Sequence, residues 1–255
     1  IEDPVEKRGI DSNLWIWRQP NYSKNYVVAA DVARGDGADF SAFHVVEVES
    51  MEQVAEYKGK LSTKDFGNLC MNTAMEYNNA LLVIENSSIG WAAIQQVIDR
   101  EYDNLFYTSK DLRYVDVARQ VTNKYRNSER QMVPGFSMTM KTRPLVIAKL
   151  EEYFREKAVI VHSDRLIDEL FVFIWNNNRA EAMEGYNDDL AMSLAIGLWV
   201  RDTALRLNAE GIALQKTVLS KMLDYEAVYT PQDNKNDSWT MKVGEEQEDL
   251  TWLIK

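Results

Sequence analysis

A single cysteine, Cys70, and two histidines, His44 and His162, are all that 255 residues offer to thiophilic or borderline metals. One cysteine cannot close an internal disulfide and fits a reducing compartment. So few thiol and imidazole groups also argue against a zinc site. No apolar run approaches the ~18 residues that a membrane span requires, so no membrane association is expected. No signal peptide is recognisable. There is no Gly-x-x-x-x-Gly-Lys-Ser/Thr phosphate loop, so ATP hydrolysis by this chain is not expected. Positive charge is scarce as well, with 29 Lys and Arg against 40 Asp and Glu, a net charge of −11. That balance argues against a generally basic nucleic-acid-binding surface. It leaves room for a local basic path beside an acidic centre.

Apolar material is plentiful. Hydrophobic residues make up 45% of the chain, with 7 Trp, 12 Tyr and 8 Phe, enough for a sizeable core in one large domain or two small ones. The chain opens on Ile1, and residues 1–25 read as a linker or leading arm of a domain cut from a longer protein. Residues 26–32, 41–48 and 53–58 read as strands of an antiparallel meander. Residues 63–77 have helical spacing, with Ser62 or Thr63 as cap. Residues 80–85 and 105–108 read as strands, with a helix over 88–102 between them. The alternation predicts an α/β fold, a mixed sheet flanked by helices.

Residues 110–143 carry eight Lys or Arg and three acids, without a sustained apolar period. They read as a basic hairpin or loop insertion. Helices are predicted over 143–157, 164–173 and 188–207, with a short strand at 159–161. Residues 208–255 form an acidic C-terminal extension whose last part, 224–255, holds eight acids and three bases, the pattern of a solvated tail.

Three acidic motifs stand out. Val27-Val28-Ala29-Ala30-Asp31 and Leu81-Leu82-Val83-Ile84-Glu85-Asn86 each end a buried-strand pattern in a carboxylate. Gly185-Tyr186-Asn187-Asp188-Asp189-Leu190 opens an apolar helix. A charge ending a buried run is costly unless it is paired or binds a cation. Asp31, Glu85 and either Asp188 or Asp189, meeting at one sheet edge, would offer only hard oxygen ligands. That donor set suits two Mg²⁺ or Mn²⁺ ions and phosphodiester hydrolysis. Asp31 is the expected bridging ligand, on a strand placed at the sheet centre. Taken singly, Asp188 is equally a helix N-cap, and Asp36 and Asp39 are turn formers beside glycines, Asp39 doubling as a candidate accessory acid. His44 reads as a core residue and His162 as a rim residue. The tryptophans are assigned mostly to the core, with Trp91 and Trp175 as candidates for stacking on a ligand.

Together and in this order, Val28 to Asp39, Val83 to Gly90 and Gly185 to Leu194 resemble the nuclease domain of the large terminase subunit of tailed phages, the contractile-tailed myoviruses in particular. The likeness runs from about Tyr26 to Trp199. It implies an RNase H-like (RuvC-like) fold over residues 26–207 and cleavage of concatemeric viral DNA at the start and end of genome packaging. By motif, Asp31, Glu85 and Asp189 fall on the family's catalytic positions, with Asp188 a neighbouring metal ligand. Close relatives carry His before the two acids. This chain has Asn187 there, a departure at the position to which a proton-transfer role would fall. The resemblance also implies double-stranded DNA, a packaging ATPase domain of the same protein, the portal protein and the small terminase subunit as partners. The implied location is the host cytoplasm, transiently at the procapsid portal. Lys110, Arg113, Arg119, Lys124, Arg126, Arg130, Lys141 and Arg143 become candidate phosphate contacts, which give affinity with little sequence reading.

Other readings make different demands. A resolvase or transposase core would share the first strand and its acid but prefer branched DNA. A sugar-kinase or actin-like ATPase would need a second glycine-rich phosphate segment, and none is evident. A non-catalytic docking module would have no need of the full set of acids.

Overall fold

The computed structural model describes residues 1–9, 11–34, 39–87, 89–109, 132–176, 179–202, 240–243 and 246–249. The chain divides into two units, Ile1–Asn208 and Ala209–Lys255. In the first, β1 (Glu6–Arg8) and β2 (Leu14–Ile16) precede β3 (Tyr26–Asp31), β4 (Ser41–Glu47) and β5 (Gln53–Gly59). Next come α1 (Thr63–Glu76), β6 (Leu81–Ile84), α2 (Gly90–Asp99), β7 (Tyr107–Ser109) and β8 (Met132–Pro134). The unit continues through α3 (Thr142–Arg155), α4 (Asp164–Phe171), β9 (Phe173–Asn176) and β10 (Arg179–Ala182) to a helix, α5, over residues 189–202. The second unit contains the hairpin of β11 (Thr240–Val243) and β12 (Glu246–Asp249). Among the described residues no helix is long and apolar enough to cross a membrane.

The main sheet has the order β1-β2-β5-β4-β3-β6, antiparallel throughout except for the parallel pair β3–β6. Two expectations change here. Residues 1–25 are not simply a leading arm, because Glu6–Arg8 and Leu14–Ile16 add two antiparallel strands to the free side of β5. β3 is not central either, since four strands lie on one side of it and β6 on the other. Beyond β6, Leu105 and Phe136 make single bridges to Leu82 and Glu85. The expected strand at 159–161 is reduced to one bridge, Glu52 with Ile160. Phe173–Asn176 and Arg179–Ala182 pair antiparallel, a pairing that the sequence did not announce.

Side-chain alternation explains why both faces are apolar. In β3 and β6, Val28, Ala30, Leu82 and Ile84 join a core with Phe66, Cys70, Ala74, Ala93, Ile94 and Val97 of α1 and α2. Val27, Ala29, Leu81 and Val83 face the other way, onto Val146 and Leu150 of α3 and Leu190, Leu194 and Leu198 of α5. Each fully buried Leu, Ile or Val is worth about 1.5–3 kcal/mol relative to exposure, so the sheet is clamped from both sides. α5 approaches closely because small residues meet. A Cβ on Gly197 would lie 3.1 Å from that of Ala29.

Candidate active site

The alternation that builds the core also places the acids. Residues 27, 29 and 31 of β3 share one face, as do 81, 83 and 85 along β6, and that face carries α5. β3 and β6 run parallel with Ala30 opposite Ile84, and the Glu85 N–H continues the ladder to the Ala30 carbonyl at 3.0 Å. Asp31 and Glu85 therefore emerge side by side where the strands end. Burial, then the neighbouring Glu85 carboxyl, push the Asp31 carboxyl well above the usual carboxylate range, with Asp189 and Asp188 adding to the effect.

Glu85 is held from three directions. Its strand is bonded to β3, and the following Asn86 N–H donates to Phe136 O at 2.9 Å. The Asn86 amide also donates to Pro134 O and Ser137 Oγ, both at 3.0 Å. On the third side α2 starts so close that a Cβ on Gly90 would sit 1.8 Å from the Glu85 carbonyl oxygen. Glycine in the run Ser87-Ser88-Ile89-Gly90 is thus required by close approach of backbone to backbone.

Asp189 begins α5 and is nearly buried. Its Oδ2 accepts from the Phe40 backbone N–H at 3.1 Å and from the Asn187 amide at 3.2 Å. Burial pushes its carboxyl up to about 6, against the pull of the Phe40 bond. Phe40 ends the loop that leaves Asp31, so Asp189 lies at the same end of the sheet. Asp188 accepts from Arg143 Nη2 at 2.8 Å. The same nitrogen donates to Ala180 O at 3.2 Å, while Arg143 Nε is buried without a partner. Asp188 is therefore an anchored ion pair, and its backbone carbonyl accepts the first α5 bond, from Met192 N–H at 2.8 Å.

Among the described residues, no three Asp, Glu, His or Cys side chains converge on one point as a finished metal cage would require. Like charges repel at close range, and two of the acids have their own donors: Arg143 for Asp188, and Phe40 and Asn187 for Asp189. The donor chemistry, oxygen throughout, suits a hard divalent cation. The crowded pair is the kind of buried like-charge arrangement that a cation relieves. Asp39 is exposed in the loop beside Phe40, Lys141 is exposed just before α3, and Arg143 lies in the first turn of α3. Lys110, Arg113, Arg119, Lys124, Arg126, Arg130 and Asp36 lie outside the described residues. Trp91 and Trp175 are 43% and 60% exposed, so these two do not belong to the core.

Sequence reasoning missed Glu169. It lies on α4, 6% exposed, and touches the head of α5. In the sequence it is one acid in an ordinary amphipathic helix, and only the packing of α4 against α5 singles it out. His44, expected in the core, is fully buried between Leu190 O and Gln53, with its pKa lowered to about 3 by burial.

Comparison with solved structures identifies the fold. The large terminase nuclease from thermophilic phage G20c, with bound magnesium, superposes with a TM-score of 0.57 at 17% identity, covering 78% of this chain and 91% of that one. The same nuclease with bound cobalt gives the same values. The Thermus phage P74-26 large terminase nuclease domain gives 0.55 at 19% identity, over 77% of this chain and 88% of that one. The mixed sheet and its flanking helices thus have the RNase H-like architecture of these domains. No protein-family model matches the chain.

Proposed function

We propose that this chain is a divalent-metal-dependent endodeoxyribonuclease domain that cuts concatemeric viral DNA during genome packaging. The observation that carries the reading is the meeting of Asp31 and Glu85 at the ends of parallel β3 and β6, on the face covered by the helix that Asp189 opens. The likeness to terminase nucleases solved with magnesium and cobalt supports it. Asp31, Glu85 and Asp189 would hold the metal, with Asp188 as a further ligand. When bound, two Mg²⁺ or Mn²⁺ ions lower the pKa of a water and stabilise the leaving oxygen.

The protein's own groups do the rest. The Phe40 N–H and Asn187 amide orient Asp189, and the β3–β6 ladder fixes the spacing of Asp31 and Glu85. Arg143 steadies Asp188, and with Lys141 it puts positive charge at the rim, where a DNA backbone would pass. Arg113, Arg119, Lys124, Arg126 and Arg130 extend that path in this reading. Contacts to phosphate alone give low sequence specificity. Double-stranded DNA is the substrate, and the packaging ATPase domain, portal protein and small terminase subunit are the partners. The work is done in the host cytoplasm, at the procapsid portal.

Nicking of supercoiled plasmid in Mg²⁺ or Mn²⁺ tests this, comparing the unaltered chain with Asp31→Ala, Glu85→Ala and Asp189→Ala. Metal-dependent nicking lost in all three is expected. Nicking that survives all three would overturn the site, and preference for four-way junctions over linear duplex would point to a resolvase.

A further inference from the structure

The first turn of an α-helix leaves its leading N–H groups without intrahelical partners, and residues at the helix head usually satisfy them with their own side chains. α5 is capped from elsewhere. The N–H groups of Leu190 and Ala191 both donate to Glu169 Oε2, at 2.8 and 3.0 Å, and Glu169 belongs to α4. The other oxygen, Oε1, accepts from Lys58 Nζ of β5 at 2.6 Å. On the opposite side of the same turn, the Leu190 carbonyl lies 3.0 Å from His44 Nε2 of β4. A carbonyl can only accept, so that nitrogen carries the proton, and Nδ1 accepts from the Gln53 amide at 2.9 Å. Two elements thus grip one turn, α4 and β4, with β5 behind them through Lys58 and Gln53.

Two carboxylates stand at this helix head, Asp188 and Asp189, and neither caps Leu190 or Ala191. An acid there is strongly drawn to the free N–H groups. Either one, turned inward, would leave the cluster around Asp31. With Glu169 in that place, Asp188 bonds Arg143 and Asp189 bonds Phe40 and Asn187. Burying a third acid costs desolvation, which Lys58 and the two N–H groups offset.

We propose that Glu169 is a positioning residue, a cap supplied from α4 that keeps Asp188 and Asp189 from turning onto the helix head and so leaves them on the side of Asp31, where metal would be held. The proposal rests on the metal-site reading above. It separates reach from charge. Glu169→Gln keeps an amide oxygen at the two N–H groups but loses the charge. Glu169→Asp keeps the charge but withdraws it by one methylene. Glu169→Ala removes both.

Calorimetric titration of the whole chain with Mn²⁺ alone, without DNA, reads the effect. Expected is a weakening of about tenfold for the Ala and Asp variants, and less than about twofold for Gln. Nicking by the Ala and Asp variants should recover at saturating Mn²⁺, so that half-saturation moves and the maximal rate does not. A merely structural role would not produce that split. Equal Mn²⁺ affinity across the series, or a Gln variant weaker than the Asp variant, overturns the proposal. If Glu169→Ala does not fold, the order of Gln and Asp still decides. Mn²⁺ binding that survives Asp31→Ala would instead overturn the metal-site reading, and the inference with it.

Discussion

Gly90→Ala is a one-methyl test of how the second acid is held. The added Cβ would meet the Glu85 carbonyl oxygen at 1.8 Å and its carbonyl carbon at 2.9 Å. Both are backbone atoms, so no side-chain rotation relieves the clash, and the chain must give by about 1 Å. The Glu85 end is tied to β3 and to Phe136, while α2 is seated in the core through Ala93, Ile94 and Val97. Overpacking of this kind costs about 1–3 kcal/mol, which lowers the thermal midpoint by about 2–4 °C per kcal/mol in a chain of this size. Misplacing a catalytic group by ~1 Å costs on the order of a hundredfold in rate. Nicking per folded molecule, measured below the melting range, should therefore fall by about that factor. Gly67→Ala is the matched control. Its Cβ would lie 2.7 Å from Ala93 O, between α1 and α2 and away from the acids. It should lose comparable stability and keep its rate. A Gly90→Ala protein that nicks at the unaltered rate, or equal rate losses in both variants, would refute the argument.

Two further outcomes follow from the charges. Asp31 and Asp189 hold protons that their unfolded counterparts release, since burial raises both carboxyls. Between about pH 4 and pH 6 the folded protein therefore binds more protons than the unfolded chain, and the contribution of these groups to stability falls as pH rises through that window. In calorimetric scans without metal, Asp31→Asn should flatten the decline, and Mg²⁺ at pH 8 should raise the midpoint of the unaltered protein. A midpoint indifferent to both would count against crowding at the site. With a net charge of −11, the proposed DNA substrate would be held only by local cations. Nicking should drop steeply between about 50 and 200 mM salt, and salt-indifferent nicking would oppose phosphate contact as the source of affinity.

Legibility in the sequence followed the reach of each cause. Tyr26–Asp31 and Leu81–Ile84 were readable because burial on both faces writes a continuous apolar run, and the acid that breaks each run marks the site. α1 was readable from spacing and from Ser62, whose Oγ accepts from Asp65 N–H at 3.2 Å. Glu6–Arg8 was not, because three charged residues carry no strand pattern and become a strand only by pairing with β2. The β9–β10 hairpin likewise lacks an Asn-Gly or Asp-Gly turn. At the candidate site, Asp31, Glu85 and Asp189 were singled out by local pattern alone. Glu169 and the Gly90 contact depend on how α4 meets α5 and how α2 meets β6, and no local pattern records such meetings.

The parallel pairing of β3 with β6 also sets when Asp31 and Glu85 can meet. The β3–β4–β5 meander closes through short loops and can form early, carrying Asp31 as a lone acid at a strand end. Glu85 reaches it only after α1 has been crossed and the parallel ladder closed, and the bond from Phe40 to Asp189 spans 149 residues. Contacts so distant along the chain are the slow ones, because loop closure must precede any reward. A half-made chain, or one arrested with only its local hairpins, holds these acids scattered. The gathering of the acids is in effect set by topology, because it depends on contacts between parts of the chain that lie far apart.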